Sequence, residues 1–324
     1  MNICILGCGA YAIALATSIS RNNHNITMWT KFIEEKNSLE KNRENKSKLP
    51  GVKLDNKIKF TTDLNEAIKD KELIVIALPA SAVGSTSKEL KEFIKENQHI
   101  CLASKGIEQG SCLFVEEILK KYINSNNIAV ISGPSFASDM VTTNPIGLSL
   151  ATKNKKTLEV VKNALENKYL KLRETDDIIG IEICGSIKNV IAIASGILDG
   201  MHATNSTKAM FITESLHDIK ELIDSLGGDK LTILSFAGFG DLLLTCTSEQ
   251  SRNFKFGKLI GSKASKEEID NYINNTTIEG LYTLKSIHKL LKNKKVNIPI
   301  IDLIYNIIFK SEQPEKLFEF LITK

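Results

Sequence analysis

Lys188 is out of place among its neighbours. At helical spacing these are Cys184, Gly185, Ile191 and Ala192, all small or apolar. A charge in that setting is costly unless it is paired or faces a polar cleft. Such a lysine suits proton transfer; the alternative is a side chain that snorkels from a helix edge. Asp241 raises the same question inside Phe239-Gly240-Asp241-Leu242-Leu243-Leu244. It is a natural partner for Lys188, or else the N-cap of a helix. Arg252, between Ser251 and Asn253, brings a planar cation and two hydrogen-bonding side chains suited to a phosphate dianion. Gly133-Pro134-Ser135-Phe136-Ala137 adds backbone amides and a hydroxyl. Lys208 has similar chemistry to Lys188 but sits in a more polar stretch, and ranks below it.

A second set of residues stands at the start of the chain. Gly7-Cys8-Gly9-Ala10-Tyr11-Ala12 fits G-x-G-x-x-A, a variant of the dinucleotide fingerprint. Gly7 permits the tight turn, Gly9 lets backbone approach a pyrophosphate, and Ala12 allows a helix to pack closely on a strand. The helix that follows presents free N–H groups to the phosphates. An acid commonly ends the second strand where NAD is preferred; here Thr30 and Lys31 occupy that place. Lys31 suits a 2′-phosphate and so NADP, while Glu34 and Glu35, just beyond, keep NAD open. Leu78-Pro79-Ala80 and Ser104-Lys105-Gly106 follow later strands, where ligands bind in such folds. Lys105 is placed to meet a phosphate or an oxyanion.

The elements needed to position these groups are legible from the hydrophobic pattern. Short apolar runs at Asn2–Leu6, Asn25–Trp29, Lys57–Phe60, Leu73–Ala77, His99–Ala103, Ile128–Ser132, Ile146–Ala151 and Tyr169–Arg173 read as buried strands. Helical patterns at Ala10–Ser20, Leu64–Lys69 and Ser87–Glu96 alternate with them. The fold class expected is α/β: an N-terminal Rossmann-like, doubly wound, mostly parallel sheet, then a C-terminal all-helical domain. The boundary is placed at 178, giving a dinucleotide-binding domain 1–178 and a helical substrate domain 179–324. Helices are expected at Ile181–Leu198, Thr207–Leu226, Lys230–Phe236, Lys266–Asn274, Ile278–Lys292 and Ile300–Phe309. The polar run Thr245–Asn253 opens a further helix, and the Lys/Asn-rich tract Lys36–Lys48 reads as a mobile excursion or a solvated helix.

Composition narrows the function classes. Among 324 residues, 42% are hydrophobic and 25% charged, with a net charge of +4. That excess suits an anionic ligand but forms no basic stripe for nucleic acid. The six cysteines and five histidines show no metal-ligand spacing, so no metal site is expected and the cysteines read as reduced core thiols. No stretch approaches the length of a membrane span, no secretory signal is visible, and a cytoplasmic protein without a membrane anchor is expected.

Taken in order, the motifs resemble the bacterial NAD(P)-dependent glycerol-3-phosphate dehydrogenase family over essentially the whole chain. The matching stretches are residues 7–16, Ser104–Ile107, Gly133–Ala137, Lys188–Gly196 with Asp199-Gly200, Gly240–Ser248, Ser251–Asn253 and Glu279-Gly280. The resemblance implies reversible reduction of dihydroxyacetone phosphate to sn-glycerol 3-phosphate with NADP or NAD, supplying glycerophospholipid synthesis. It makes Lys188 the proton-transfer residue. It places Lys105, Gly133, Ser135, Lys188, Asp241, Ser251, Arg252 and Asn253 at the substrate. It places Ala10, Tyr11, Lys31, Lys105, Ala137, Arg252, Thr277 and Glu279 at the cofactor, beside Gly7, Gly9 and Ala12 of the fingerprint. The sequence departs from relatives at Ala10 (often Ser), Ala12 (often Gly), Lys31 (often Arg or His) and Met201-His202-Ala203, a stretch richer in glycine elsewhere. The implied partner is a small phosphorylated molecule, and a homodimer is an open arrangement. Two other readings stay in view: a hydroxyacid or ketopantoate-type reductase, and a catalytically silent dinucleotide sensor. The phosphate-suited Ser-Arg-Asn run weighs against the first and the Lys188/Asp241 pair against the second.

Overall fold

The computed structural model describes residues 1–324, which pack as two compact units. The first comprises Met1–Lys105 and Val115–Ile178, the second Gly106–Phe114 and Ile179–Lys324. A single cut at 178 therefore misplaces residues 106–114. Within the second unit Ser286 Oγ donates to Glu108 O at 3.3 Å and Lys289 Nζ to Gly110 O at 3.2 Å, which ties this excursion down.

The first unit opens with β1 (Asn2–Leu6), α1 (Ala10–Ser20), β2 (Asn25–Trp29) and α2 (Ile33–Asn42). It continues with β3 (Lys59–Thr61), α3 (Leu64–Ile68), β4 (Leu73–Ile76), α4 (Ala80–Leu90) and β5 (His99–Leu102). It closes with α5 (Val115–Lys120), β6 (Ile128–Ser132), α6 (Ala137–Met140), β7 (Ile146–Ala151), α7 (Lys155–Leu165) and β8 (Leu170–Thr175). The eight strands form one sheet in the order β3-β2-β1-β4-β5-β6-β7-β8. All neighbours are parallel except β6 and β7, which pair antiparallel through Ile131 and Leu150. The central strands read as unbroken apolar runs because helices cover both faces: Leu73, Ile74 and Val75 of β4 are fully buried. Edge strand β8 alternates instead, with Leu170 and Leu172 buried and Lys171 and Arg173 exposed. Because β1 lies between β2 and β4, the chain reverses its winding at β1 and opens a crevice at the strand's carboxyl end.

One helix of the first unit differs from the sequence pattern, and another decides an alternative that the pattern left open. Expected at Ser87–Glu96, α4 instead runs over Ala80–Leu90. Pro79 at its N-cap marks the start, and after Leu90 Phe93 stays exposed and Ile94 only partly buried, so little apolar burial holds that segment helical. The Lys/Asn-rich tract holds a solvated helix, α2, anchored by buried Leu39 and stopped at Arg43 in the left-handed region (φ 53°).

The second unit contains no strand from the sheet and is helical. α8 (Ile178–Gly200) and α9 (Asn205–Ser225) lead to a 3-10 turn at Lys230–Leu234 and a π-turn at Phe236–Gly240. These two short turns replace the α-helix expected over Lys230–Phe236. They are set by the side chains of Asp229 and Ser235, which accept from Leu231 N and Gly238 N. α10 (Asp241–Thr247), α11 (Arg252–Gly261), α12 (Lys266–Asn275), α13 (Glu279–Lys294), α14 (Pro299–Lys310) and α15 (Lys316–Thr323) complete the unit.

α8 corrects a sequence expectation. Its 23 residues, with mean hydropathy 1.6 in the most apolar window, are long and apolar enough to cross a membrane. That window is 89% buried within the protein, so α8 is a core helix of the second unit. α11 lies against it at backbone contact. A Cβ on Gly257 would stand 1.9 Å from Ile193 O, and one on Gly196 2.0 Å from Phe254 O. Only glycine permits that approach, and it fixes the register between the helix carrying Lys188 and the one opening at Arg252.

Candidate active site

The first unit supplies a dinucleotide cradle. Gly7 turns the chain at the end of β1 with φ +121°, and its N–H donates to Trp29 O at 2.8 Å. A Cβ there would come within 2.6 Å of Ala77 O. Gly9 is the N-cap of α1, which has no side-chain cap, and no protein atom lies within 4 Å of where its Cβ would be. The uncapped amides of α1 and the open face of Gly9 fit a pyrophosphate. Ala12 is fully buried against the sheet, as close helix–strand packing requires.

Farther along the same crevice, Tyr11 OH and Ser135 Oγ are hydrogen-bonded at 3.1 Å, and Ser135 Oγ donates to Gly133 O at 3.0 Å. Gly133 has φ +156°, and a Cβ there would crowd Gly147 O at 2.9 Å. Lys105 Nζ lies 5.9 Å from the Tyr11 ring centroid, within cation–π range. Tyr11, Lys105, Gly133 and Ser135 are thus gathered by α1, the loop after β5 and the loop after β6. Ser104 braces that arrangement by accepting from Leu78 N at 3.0 Å. Ala137 opens α6 just beyond Ser135, and Ala10 opens α1. Lys31 is exposed past the end of β2.

The second unit carries the proton-transfer candidate. Lys188 Nζ donates to Asp241 Oδ1 at 2.6 Å and to Thr245 Oγ1 at 3.3 Å. Asp241 is 1% exposed and the Lys188 side chain 12%. The carboxylate is therefore a buried counter-ion and not an N-cap: it lies in the first turn of α10, whose cap is Gly240. Thr245, one turn on, donates its hydroxyl to Asp241 O at 2.6 Å, which leaves its lone pairs facing Lys188. Ser195, two turns along α8 from Lys188, donates to Cys246 O at 2.8 Å and locks α10 in place. Burial pushes the Cys246 thiol well up, so it stays protonated beside the ion pair.

Ser251 caps α11 by accepting from Phe254 N at 3.2 Å. Arg252, the first residue of α11, is half exposed, with Nη2 at 3.9 Å from Glu279 Oε1. Asn253 is buried: its Nδ2 donates to Asn189 Oδ1 at 2.9 Å, and its Oδ1 accepts from Gly280 N at 2.9 Å. Asn189 Nδ2 reaches Glu279 Oε2 at 3.4 Å. The structure thus joins Arg252, Asn253 and Glu279, while Thr277 is exposed ahead of α13. Two participants, Thr245 and Asn189, were given no site role by the sequence. Thr245 carried a usable signal, since it stands four residues after Asp241 on one helical face. Asn189 followed Lys188 directly, but only the fold reveals its bond to Asn253. No group of three or more His, Cys, Asp or Glu side chains is placed to hold a metal ion.

Comparison with known proteins follows this division. The sequence profile for the N-terminus of NAD-dependent glycerol-3-phosphate dehydrogenase matches residues 2–158, and that for its C-terminus residues 177–319. A glycerol-3-phosphate dehydrogenase [NAD(P)+] from Thermoanaerobacter sp. is 38% identical over 324 residues, covering 100% of this chain and 97% of the relative. One from Fusobacterium nucleatum is 36% identical, over 96% and 93% of the two chains. The crystal structure of glycerol-3-phosphate dehydrogenase from Coxiella burnetii superimposes with a TM-score of 0.93 at 30% identity, covering 100% and 99%. With profiles matching both halves and full-length relatives at this identity, the chain belongs to the NAD-dependent glycerol-3-phosphate dehydrogenase family.

Proposed function

We propose that the chain catalyses the reversible reduction of dihydroxyacetone phosphate to sn-glycerol 3-phosphate with NADH or NADPH, and that Lys188 transfers the proton. The observation that carries the residue assignment is the Lys188 ammonium held at 2.6 Å by a buried carboxylate, Asp241, on an otherwise apolar helix. The nicotinamide cofactor, when bound, supplies the hydride that becomes a C–H bond at the ketone carbon. Lys188 Nζ holds the proton that the carbonyl oxygen takes up as its π bond breaks, and its charge stabilises the developing oxyanion. Asp241 and Thr245 fix where that ammonium stands.

Arg252 is assigned to the substrate phosphate, so that binding energy away from the reacting carbon orients it. Ser251 and Asn253 hold the N-terminus of α11 in position for this. In the first unit Gly7, Gly9, Ala10, Tyr11, Ala12, Lys31 and Ala137 are assigned to the cofactor, and Lys105, Gly133 and Ser135 to substrate and cofactor together. Thr277 and Glu279 complete the cofactor set. The product serves as a headgroup precursor for glycerophospholipids, made in the cytoplasm. A spectrophotometric assay with dihydroxyacetone phosphate, run in parallel with NADH and NADPH, tests the reading. Phosphate-dependent oxidation of either cofactor is expected; turnover of a non-phosphorylated hydroxyacid alone would overturn it.

A further inference from the structure

The end of β2 contains a hydrogen-bonded carboxylate that the assignments above leave unused. Thr30, 3% exposed, donates its hydroxyl to Glu35 Oε2 at 2.5 Å and accepts from Phe32 N at 3.3 Å. Asn45 Nδ2 donates both to Glu35 Oε1 at 3.1 Å and to Cys8 O at 3.3 Å. Its Oδ1 accepts from Ser47 Oγ at 2.9 Å, which fixes the orientation of the amide. One side chain therefore bridges Glu35 to the middle of the Gly7-Cys8-Gly9 turn. Burial pushes the Cys8 thiol up, and the Glu35 charge adds to that rise, so the field of the carboxylate reaches the turn. Each carboxylate oxygen accepts one bond from the protein and keeps a lone pair for a ligand.

A dinucleotide seated on this turn has its adenosine ribose between the fingerprint and the end of β2. We propose that Glu35 reads the 2′ position of that ribose, accepting from a free hydroxyl and repelling a 2′-phosphate, and so sets this chain toward NAD over NADP. The inference rests on the cofactor reading given above. Lys31 is the opposing influence, since its cation favours a phosphate. It is exposed, and an exposed lysine's attraction is weakened by solvent and by the entropy of its long side chain. Glu35 is held at both oxygens and cannot swing away from an incoming anion. The acid expected at the last residue of β2 is thus replaced by one from the first turn of α2, brought back to the strand end by Thr30 and Asn45.

Titration of the cofactor-free protein with NADH and NADPH, followed by nicotinamide fluorescence, tests this without any turnover. NADPH is expected to bind about tenfold more weakly or worse, one decade corresponding to about 1.4 kcal/mol. Glu35→Gln is expected to narrow the gap, chiefly by tightening NADPH. Thr30→Val, which removes the pin and keeps the charge, should narrow it less. Equal or tighter binding of NADPH by the native protein overturns the proposal whether or not either variant is stable. A ratio unchanged by Glu35→Gln does the same while leaving the dinucleotide reading intact. Failure of both cofactors to bind removes that reading and this proposal with it.

Discussion

Asn253 Nδ2 donates to Asn189 Oδ1 across 2.9 Å, and this bond joins the start of α11 to the residue that follows Lys188 on α8. Because Asn253 Oδ1 also accepts from Gly280 N, one amide holds α8, α11 and α13 together. Its neighbour Arg252 is half exposed and contributes little to that frame. The two residues should therefore respond in opposite ways to truncation. Asn253→Ala strands a buried donor and a buried acceptor, at about 1–3 kcal/mol each, so a clear fall in melting temperature is expected. Arg252→Ala is expected to leave melting unchanged within about 0.5 kcal/mol, as surface changes usually do, and to raise KM for the phosphorylated substrate. Thermal denaturation beside steady-state kinetics separates the outcomes; an Asn253→Ala protein as stable as the native one removes its framing role.

For Lys188 and Asp241 the asymmetry lies in burial. Asp241 is 1% exposed and cannot reach water, while the lysine, at 12%, has an outlet. Lys188→Ala strands a buried carboxylate, a loss of about 3–5 kcal/mol for pairs broken in this way. Asp241→Asn keeps a polar group of the same shape and should cost less. In kcat the expected loss for Lys188→Ala is about 10²–10⁴-fold, the range for removal of a general acid. Retention of activity within about tenfold of the native enzyme would show that another group delivers the proton.

How far the sequence carried these conclusions varies along the chain. Runs such as Asn2–Leu6, Asn25–Trp29 and Ile128–Ser132 coincide with β1, β2 and β6, because strands buried on both faces announce themselves through β-branched residues. α4 was misplaced because Lys/Glu content marks a solvated helix without marking where its buried face begins. Lys188 and Asp241 stood out because charge among apolar neighbours is locally visible. Glu35 was visible only as an acid just beyond β2 that keeps NAD open; its tie to the fingerprint turn was not, because that depends on Asn45, ten residues on, folding back. The glycine contacts between α8 and α11 were hidden for a similar reason. Gly196 and Gly257 are far apart in the chain, and only their packing shows why neither accepts a side chain.

Gly7 and Gly9 lie two residues apart, yet their replacement should have different consequences. At Gly7 a Cβ meets Ala77 O at 2.6 Å, and φ is +121°, so Gly7→Ala strains the folded state itself. At Gly9 the backbone is extended and a Cβ meets nothing, so Gly9→Ala should fold normally. The methyl group would then occupy the space a pyrophosphate needs. Loss of NADH binding with an unchanged melting temperature is the expected result for Gly9→Ala, and loss of both is expected for Gly7→Ala. Normal NADH affinity in Gly9→Ala would place the cofactor elsewhere.

His99 should make the stability of the first unit sensitive to mild acid. It is 4% exposed, with Nδ1 at 2.9 Å from Thr157 Oγ1. Burial holds its pKa below the ordinary 6.5, with the charge of Lys156 adding to the effect. The folded state thus favours neutral imidazole, and below pH 6.5 the unfolded chain binds more protons than the folded one. The stabilisation is present in full above that value and is lost as pH falls through the lower, folded pKa. Carboxylates act in a separate and more acidic window. Glu44, for example, is held below its ordinary 4.5 by hydrogen bonds from Lys53 and Gly51. A fall in melting temperature between about pH 7 and pH 5.5 is therefore expected to come from histidine, His288 in the second unit contributing through its own burial. Replacing His99 with Gln should flatten that slope while leaving the lower-pH loss unchanged. An equally steep slope in the variant would show that His99 does not carry the effect.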